Sequence, residues 1–185
     1  MVDRWKRLRS RQRGDFRIFT VREDWYSHPD KDGERSFFVI ETPDWANVIA
    51  VTPDDEVVLI RQMRPGVGGV RLEIPGGVID PGEDPAVAAT RELREETGYT
   101  GSAPEFLCVT EPNPATHQNH CYSYLIRDAR PGADREWDHD ELIEVHTVPV
   151  AELGALIERD ELPHALLQLP LLRYLRLRER EEAET

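Results

Sequence analysis

The chain of 185 residues has little cysteine and no long apolar runs. Its two cysteines, Cys108 and Cys121, each lie inside an apolar segment, so we expect small core residues rather than a disulfide framework. No window approaches the roughly eighteen apolar residues of a spanning helix, and the arginines near the start are not followed by an apolar stretch. These absences argue against a membrane span and an ordinary secretory signal, so we expect a cytoplasmic protein with no membrane partner.

Positive charge is also scarce. Lysine and arginine number 23 against 36 aspartates and glutamates, which gives a formal net charge of −13. Because such a protein is repelled by phosphate backbones over most of its surface, general nucleic-acid binding is disfavoured. The acid excess indicates either a divalent-metal site or a solvated surface, and composition alone does not choose between them.

The length and the 39% of hydrophobic residues suit one domain, or one domain with a small appendage. We place residues 1–45 in an N-terminal arm and β-hairpin extension, and residues 46–185 in the main domain. The arm itself, residues 1–13, is rich in arginine and is predicted to be a solvated or frayed terminus.

Strand-like patterns follow the arm. Aromatic and β-branched residues in 16–26 and 36–40 flank turn-forming residues 28–33, which predicts a hairpin with a long tip. Two further runs, 46–51 and 56–60, are separated by a good turn sequence and predict a second hairpin. Later strands are expected over residues 106–110, 120–126 and 144–148.

Three stretches have helical character: residues 84–97, 150–159 and 163–180. Pro170 is expected to break or kink the last of them. Because strands and helices follow each other without regular βαβ alternation, we expect an α/β or α+β layered domain in which helices pack on a sheet.

The first predicted helix is bounded by its own sequence. Asp84 can accept hydrogen bonds from the free amides at a helix start, and Pro85 suits the first helical position. Gly98 suits the left-handed residue that follows a last turn. The residues between them are therefore expected to form a helix with loops at both ends.

Glu92, Glu95 and Glu96 have i, i+3, i+4 spacing, which places the three carboxylates on one face of this helix. Like charges at this spacing, near a helix C-terminus, are unfavourable without a partner. Arg91 and Arg94 can compensate, but a hard divalent cation such as Mg²⁺ would bind these oxygens directly. Taken alone, the three glutamates favour a solvated acidic face over a metal site.

The surrounding residues extend the pattern. Gly77 is followed after five residues by Glu83, and after seven more by Arg-Glu-Leu-Arg-Glu-Glu-Thr-Gly-Tyr at 91–99. This matches the Nudix box at its fixed positions, with Tyr99 where an aliphatic residue is usual, and the sequence resembles a Nudix hydrolase. The resemblance implies the Nudix fold, a mixed β-sheet sandwiched between helices, here with an N-terminal β-hairpin extension.

The same resemblance implies a metal-dependent hydrolase of a nucleoside diphosphate linked to another moiety, with Mg²⁺ or Mn²⁺ as cofactor. By position, Glu92 and Glu96 would be the principal metal ligands. Glu95 would be a further or water-mediated ligand, and the Gly77 carbonyl a backbone ligand.

Other roles follow from the resemblance. Arg91 would orient a glutamate by ion pairing, and Glu83 would support the site. Glu141 aligns with the loop glutamate that acts as general base in related pyrophosphatases. Asp140 and Glu144 are rival bases, and a solubilising loop charge is the alternative for Glu141.

Residues 57–64, 72–77 and 140–148 resemble the ADP-ribose and nucleotide-sugar pyrophosphatase branch. This branch implies ADP-ribose or another nucleoside diphosphate sugar as the small-molecule substrate, with a nucleoside monophosphate and a sugar phosphate as products. In related pyrophosphatases the N-terminal hairpin builds a dimer and part of the pocket, so we expect a homodimer.

Four residues are substrate-binding candidates. Arg61 and Arg64 could clamp phosphates, although arginines at strand ends are also common surface ion-pair partners. Glu73 stands where the branch carries a glutamate near the site, and a buried structural acid is its alternative. Pro114 stands where the branch often has a proline after the box, with Pro112 close by.

Two other functions stay open. One is a hydrolase that removes nucleoside triphosphates or dinucleoside polyphosphates, against which the N-terminal extension argues. The other is a non-catalytic nucleotide sensor. For such a sensor we would expect the glutamates of the box to be replaced by other residues, and a DNA-binding module to be attached. The glutamates are intact here, which favours an enzyme.

Overall fold

The computed structural model describes residues 2–132 and 142–184. These residues form two compact units. The N-terminal unit comprises residues 2–44 and 111–120, and the main unit comprises residues 45–110 and the described residues from 121 onwards.

The N-terminal unit contains a short 3₁₀ turn at Val2–Arg4 and an antiparallel sheet in the order β1-β2-β3. Its strands are β1 (Lys6–Asp15), β2 (Thr20–His28) and β3 (Lys31–Glu41). The predicted hairpin is the β2–β3 pair, but its tip is shorter than expected. Only Pro29 and Asp30 separate the strands, because the pairing continues to His28 and Lys31.

The basic arm is solvent-exposed, as predicted for a solvated terminus, but it is not frayed, because residues 6–13 belong to β1. Its arginines find partners on β2 and β3 of the same sheet. Arg9 lies over the ring of Trp25, 4.5 Å from its centroid, and its Nη1 donates to Glu34 Oε2 at 2.6 Å. Arg13 Nε donates to Glu23 Oε2 at 2.6 Å. The arm is therefore ordered by pairing with acids that follow it in the chain.

The main unit contains nine strands and three α-helices among its described residues. The strands are β4 (Trp45–Ala50), β5 (Glu56–Arg64), β6 (Gly69–Glu73), β7 (Gly76–Val78), β8 (Tyr99–Thr100), β9 (Glu105–Thr110), β10 (Cys121–Ile126), β11 (Arg130–Pro131) and β12 (Glu144–Pro149). The helices are α1 (Pro85–Thr97), α2 (Leu153–Glu158) and α3 (Ala165–Ala183), with 3₁₀ turns at Pro65–Val67 and Val150–Glu152.

Two sheets carry this unit. One has the order β7-β4-β10-β9 and is mixed, since β4 and β10 run parallel while the other neighbours are antiparallel. The other has the order β12-β5-β6 and is antiparallel. Strands β8 and β11 form a separate short pair. The predicted strands at 106–110, 120–126 and 144–148 are confirmed within a residue.

The predicted second hairpin is wrong, although both of its strands exist. β4 lies between β7 and β10, and β5 lies between β12 and β6, so the two strands belong to different sheets. A single bridge, Val51 with Val57, connects their ends. Each is an interior strand of its own sheet, and residues 46–50 of β4 and 57–60 of β5 are buried.

The core has two apolar clusters that divide the residues of β4 between them. Ile49 belongs to the cluster that contains the leucines of α2 and α3. Val48 and Ala50 belong to the cluster that contains Ala88, Ala89 and Leu93 of α1. Because alternate residues of a strand point to opposite faces, helices cover both sides of this strand. The predicted sheet between helices is confirmed.

Helix α3 runs through Pro170 without interruption, so the predicted break is wrong. A proline cannot donate to the carbonyl four residues earlier, which leaves Leu166 O without its helical partner. The side-chain amide of buried Asn47, on β4, donates to this oxygen at 3.4 Å. Among the described residues, no helix has the length and apolar character needed to cross a membrane.

Candidate active site

Helix α1 begins and ends where its sequence predicts. Asp84 Oδ1 accepts from Ala86 N at 2.8 Å, and Pro85 is the first helical residue. Gly98 has a φ of 73°, in the left-handed region, and its N–H donates to Arg94 O. These local signals fix which residues of the box face the glycine loop at Gly76 and Gly77.

Arg91 is the centre of the site's polar network. Its Nε and Nη2 donate to the two oxygens of Glu83, at 2.9 and 3.0 Å. Its Nη1 donates to Glu92 Oε1 at 2.8 Å and to Glu95 Oε2 at 3.0 Å, while Nη2 also donates to Val78 O at 2.9 Å. All five donors of the guanidinium are therefore used.

The charges of this network reinforce each other. The hydrogen bonds with Glu83, followed by the attraction of Glu92 and the contact with Glu95, outweigh burial and raise the pKa of Arg91 above its ordinary value. The hydrogen bonds from Arg91 lower the pKa of Glu83, whose Oε2 also accepts from Asp80 N at 3.0 Å. One guanidinium thus compensates carboxylates that would otherwise repel each other.

The glycine loop lies against these glutamates. Gly76 N donates to Glu96 Oε2 at 2.9 Å, and Glu96 is buried. A Cβ at Gly77 would lie 2.5 Å from Glu92 Oε1, and a Cβ at Gly76 would collide with the backbone oxygen of Ala46. Gly77 therefore lets the loop lie this close to Glu92 of α1, and Gly76 lets it lie this close to the backbone of β4.

The donor set of the loop and helix fits a hard divalent cation. Three carboxylates lie on one side of α1, and Glu92 lies over Gly77, where only a hydrogen leaves room for it. Within residues 2–132 and 142–184, however, no three His, Cys, Asp or Glu side chains converge as a ligand cluster. Glu92 and Glu95 are instead held by Arg91, and Glu96 by Gly76 N. A cation would have to compete with these hydrogen bonds.

Glu73 lies at the end of β6, three residues before the glycine loop, and is only 3% exposed. Arg64 donates to its Oε2 through Nε at 2.9 Å and Nη2 at 2.6 Å, and Gln62 Nε2 lies 3.3 Å from the same oxygen. His164 Nδ1 lies 3.7 Å from Oε1. Burial opposes ionisation of Glu73, but His164 and Arg64 outweigh it and lower its pKa to about 2.

Sequence reasoning missed Gln62 and His164 as partners of Glu73. Gln62 directly opposes Arg71 in the pairing of β5 with β6, and His164 precedes α3, so neither is near Glu73 in the chain. A Gln that is buried within a largely apolar strand was the one available signal. Arg64 itself is bound to Glu73 rather than projecting alone.

The other candidates lie elsewhere. Arg61 directly opposes Glu144 on the neighbouring strand, and its Nη1 lies 3.3 Å from Glu144 Oε2 in an exposed ion pair. Pro114 is exposed in a turn of the N-terminal unit, whereas the glutamates of the box belong to the main unit. Glu141 and Asp140 lie outside the described residues.

An acidic helix against a two-glycine loop, on a mixed sheet covered by helices, is the arrangement that the resemblance implied. A family model described as the NUDIX domain matches residues 41–169. The chain belongs to the Nudix family, and the prediction that it is a Nudix hydrolase is confirmed.

Relatives narrow the resemblance. The chain is 29% identical over 147 residues, 79% of each chain, to a protein of Bacillus subtilis (strain 168) named ADP-ribose pyrophosphatase. It is 53% identical over 78 residues, 42% of this chain and 35% of the relative, to ADP-sugar pyrophosphatase of Mus musculus. A crystal structure of an ADP compounds hydrolase superposes with a TM-score of 0.86 over 96% of each chain, at 23% identity, and shows the same fold. The predicted branch is confirmed by these similarities.

Proposed function

We propose that this chain hydrolyses the pyrophosphate linkage in a nucleoside diphosphate joined to a sugar, with ADP-ribose or another nucleoside diphosphate sugar as substrate. The products are a nucleoside monophosphate and a sugar phosphate. The observation that carries the proposal is the engagement of all five Arg91 donors by Glu83, Glu92, Glu95 and the loop carbonyl of Val78. The names of the Bacillus and mouse relatives support the substrate class.

Nudix enzymes generally use divalent metal ions. We assign Mg²⁺ or Mn²⁺ to this chain, with Glu92 and Glu96 as principal ligands, Glu95 as a further or water-mediated ligand, and the Gly77 carbonyl as a backbone ligand. When bound, the cation neutralises the diphosphate, polarises its phosphorus and lowers the pKa of the attacking water.

The chain's own residues position this reaction. Arg91 holds Glu92 and Glu95 beside the glycine loop, and Glu83 holds Arg91 in turn by two parallel hydrogen bonds. Glu141 is assigned as the general base that accepts a proton from the attacking water. Its place in an acid-rich stretch of the sequence suits a group that accepts a proton.

Four residues are assigned to substrate binding. Arg61 and Arg64 supply guanidinium donors that suit phosphate oxygens, the latter after being oriented by Glu73. Glu73 acts beside the site as an ionised acid, and Pro114 is the fourth substrate-binding candidate. If these residues bind the substrate, replacing each of them should raise the KM for the substrate.

We further propose residues 1–45 as an extension, residues 46–185 as the catalytic domain, and a cytoplasmic homodimer built through the N-terminal sheet. The exposed aromatic residues Phe37 and Phe38 on β3 support an association surface there. Light scattering at micromolar concentration should give twice the 21.3 kDa chain mass. A monomeric mass would contradict the dimer.

The substrate class is tested by an assay against a panel of candidate nucleotides. The purified protein is assayed with Mg²⁺, with Mn²⁺ and with chelator against ADP-ribose, other nucleoside diphosphate sugars, dinucleoside polyphosphates and nucleoside triphosphates, and products are separated by chromatography. We expect the highest kcat/KM for a nucleoside diphosphate sugar and no turnover with chelator. A preference for triphosphates, or binding of nucleotide without any turnover, would contradict the proposal.

The residue roles are tested by isosteric changes. Glu96→Gln should lower kcat by about 10³-fold, because it removes a charged ligand. Glu141→Gln should lower kcat by about 10²-fold, the usual contribution of a general base, while Glu144→Gln stays within threefold. Exposed Glu158→Gln on α2 is the control, and circular dichroism verifies folding. Full activity of the Glu96→Gln variant would contradict the assignment of Glu96 as a metal ligand.

A further inference from the structure

A second concave surface of the main unit lies between β9 and α3. It encloses about 720 Å³ and has an apolar floor formed by Phe106, Leu107, Leu169, Leu172 and Leu177. Three of these side chains are exposed apolar groups: Phe106 at 58%, Leu169 at 42% and Leu172 at 46%. We call this surface the α3 groove. Apolar side chains gathered in a concavity, rather than scattered singly, are typical of a binding surface.

The rim of the α3 groove is mostly positively charged. Arg173, Arg176 and Arg180 line it, against one acid, Glu179. Their spacing of three and four residues puts the arginines along one side of the helix. In the described part of the chain, none of these three arginines has an ion-pair partner, and Arg180 Nε donates only to the backbone oxygen of Arg176, at 3.3 Å.

The lack of acid partners is specific to this side of α3. Arg178, on the same helix, pairs with Asp55 and donates through Nη2 to Glu182 Oε1 at 2.9 Å. Arg127 pairs with Glu181 at 2.8 Å and with Glu105 at 3.0 Å. A chain with a net charge of −13 therefore pairs Arg178 of α3 and the nearby Arg127 with acids and leaves the arginines of the α3 groove available.

We propose that the α3 groove is a docking site for an acidic segment of a partner protein that carries apolar side chains. The apolar floor suits aliphatic or aromatic anchors, and the guanidinium groups suit carboxylates at the rim. This division, an apolar centre with a charged rim, is the usual anatomy of a protein interface.

The same observations disfavour other polyanions. A nucleic acid would pair with the arginines but leave the apolar floor uncovered. A flat anionic membrane would meet the rim but not enter a concavity. The proposal does not depend on hydrolysis, because no lining residue of the α3 groove belongs to the network around Arg91.

Random twelve-residue peptides displayed on phage provide the probe. The full chain is used for selection, and the variant Arg173→Glu with Arg176→Glu is used for counter-selection. Enriched peptides should combine acidic residues with Leu, Ile, Phe or Trp. In fluorescence anisotropy, the charge-reversed variant should bind them at least about tenfold more weakly, and a peptide with Lys in place of Glu should prefer that variant.

The matched control is Arg159→Glu, which reverses an exposed arginine on the same unit outside the α3 groove and should leave peptide affinity unchanged. Circular dichroism and hydrolysis rate verify that each variant is folded. The proposal is overturned if selection enriches no sequence class, if enriched peptides are basic, or if reversal leaves their affinity intact. It is equally overturned if these arginines instead bind single-stranded DNA, phosphatidylglycerol vesicles or a second copy of the chain.

Discussion

Arg91 on α1 and the arginines of the α3 groove occupy helices of the same unit in opposite electrostatic settings. Arg91 donates five hydrogen bonds, four of them to carboxylates. Arg173, Arg176 and Arg180 have no acid partner among the described residues. The difference teaches that the role of an arginine depends on what surrounds it: the first is part of a rigid scaffold, and the others are free to meet something external.

Arg64 lies between these extremes. It makes two hydrogen bonds to the single oxygen Glu73 Oε2, and Glu73 is almost completely buried while Arg64 is partly exposed. The three settings define a series in which an arginine is fully, partly or not at all committed to carboxylates. The series predicts how much activity or stability is lost when each arginine is replaced.

The largest effect is expected at Arg91. Replacing it by Lys keeps the charge but removes the planar fork, so Glu83, Glu92 and Glu95 can no longer be held together. We expect kcat/KM to fall about 100-fold, as for other groups that orient ligands, and the free energy of unfolding to fall by about 2 kcal/mol. Steady-state kinetics and urea unfolding measure the two changes.

Arg94→Lys is the matched control for that variant. Arg94 lies on the same helix, is more exposed, and its Nη2 makes a long 3.4 Å contact with Glu95. Its replacement should change kcat/KM less than threefold. Equal losses at both positions would show that Arg91 has no special place in the network.

At Glu73 the expected effect is on stability, where it exceeds that of Arg91. Its pKa of about 2 lies below the ordinary value of 4.5, so its ionised form stabilises the fold. That contribution, about 3 kcal/mol, is complete above pH 4.5 and is lost as the pH falls towards 2. Glu73→Gln should therefore be less stable than the parent chain at pH 7, and the difference should shrink in acid. Urea unfolding at several pH values tests this, and a pH-independent difference would refute it.

The smallest effect is expected in the α3 groove. Arg173→Ala with Arg176→Ala removes side chains that have no acid partner in the described structure, so stability should change by no more than about 0.5 kcal/mol. The kcat/KM should stay within twofold of the parent. Thermal unfolding and the hydrolysis assay measure both. A larger loss would mean that these arginines support the fold, and the comparison with Arg91 would no longer hold.

Sequence alone predicted the parts of the molecule that are specified locally. The start and end of α1 follow from Asp84, Pro85 and Gly98, because capping depends on neighbouring residues. The grouping of Glu92, Glu95 and Arg91 follows from helical spacing. The family resemblance added the fold and the chemistry, which spacing alone left open between a metal site and a solvated face.

What the sequence did not predict depends on distant partners. The basic arm becomes β1 because it pairs with β2 and because its arginines reach acids such as Glu23 on β2 and Glu34 on β3. α3 passes Pro170 because Asn47, far away in the chain, donates to the carbonyl that proline leaves free. Glu73 is ionised in the interior because His164 and Arg64 reach it from separate elements. These contacts join residues that are far apart in the chain, so the local pattern of residues does not predict them.

The two glycines before α1 place unequal limits on mutation. Every missense change of a glycine adds a Cβ, and at position 76 that atom would collide with the backbone of β4, which cannot move without breaking its pairing with β7. At position 77 it would meet only the end of the Glu92 side chain, which can rotate away. In a mutant library, losses at position 76 should therefore appear as missing soluble protein. Losses at position 77 should appear as protein that is soluble but has no hydrolytic activity.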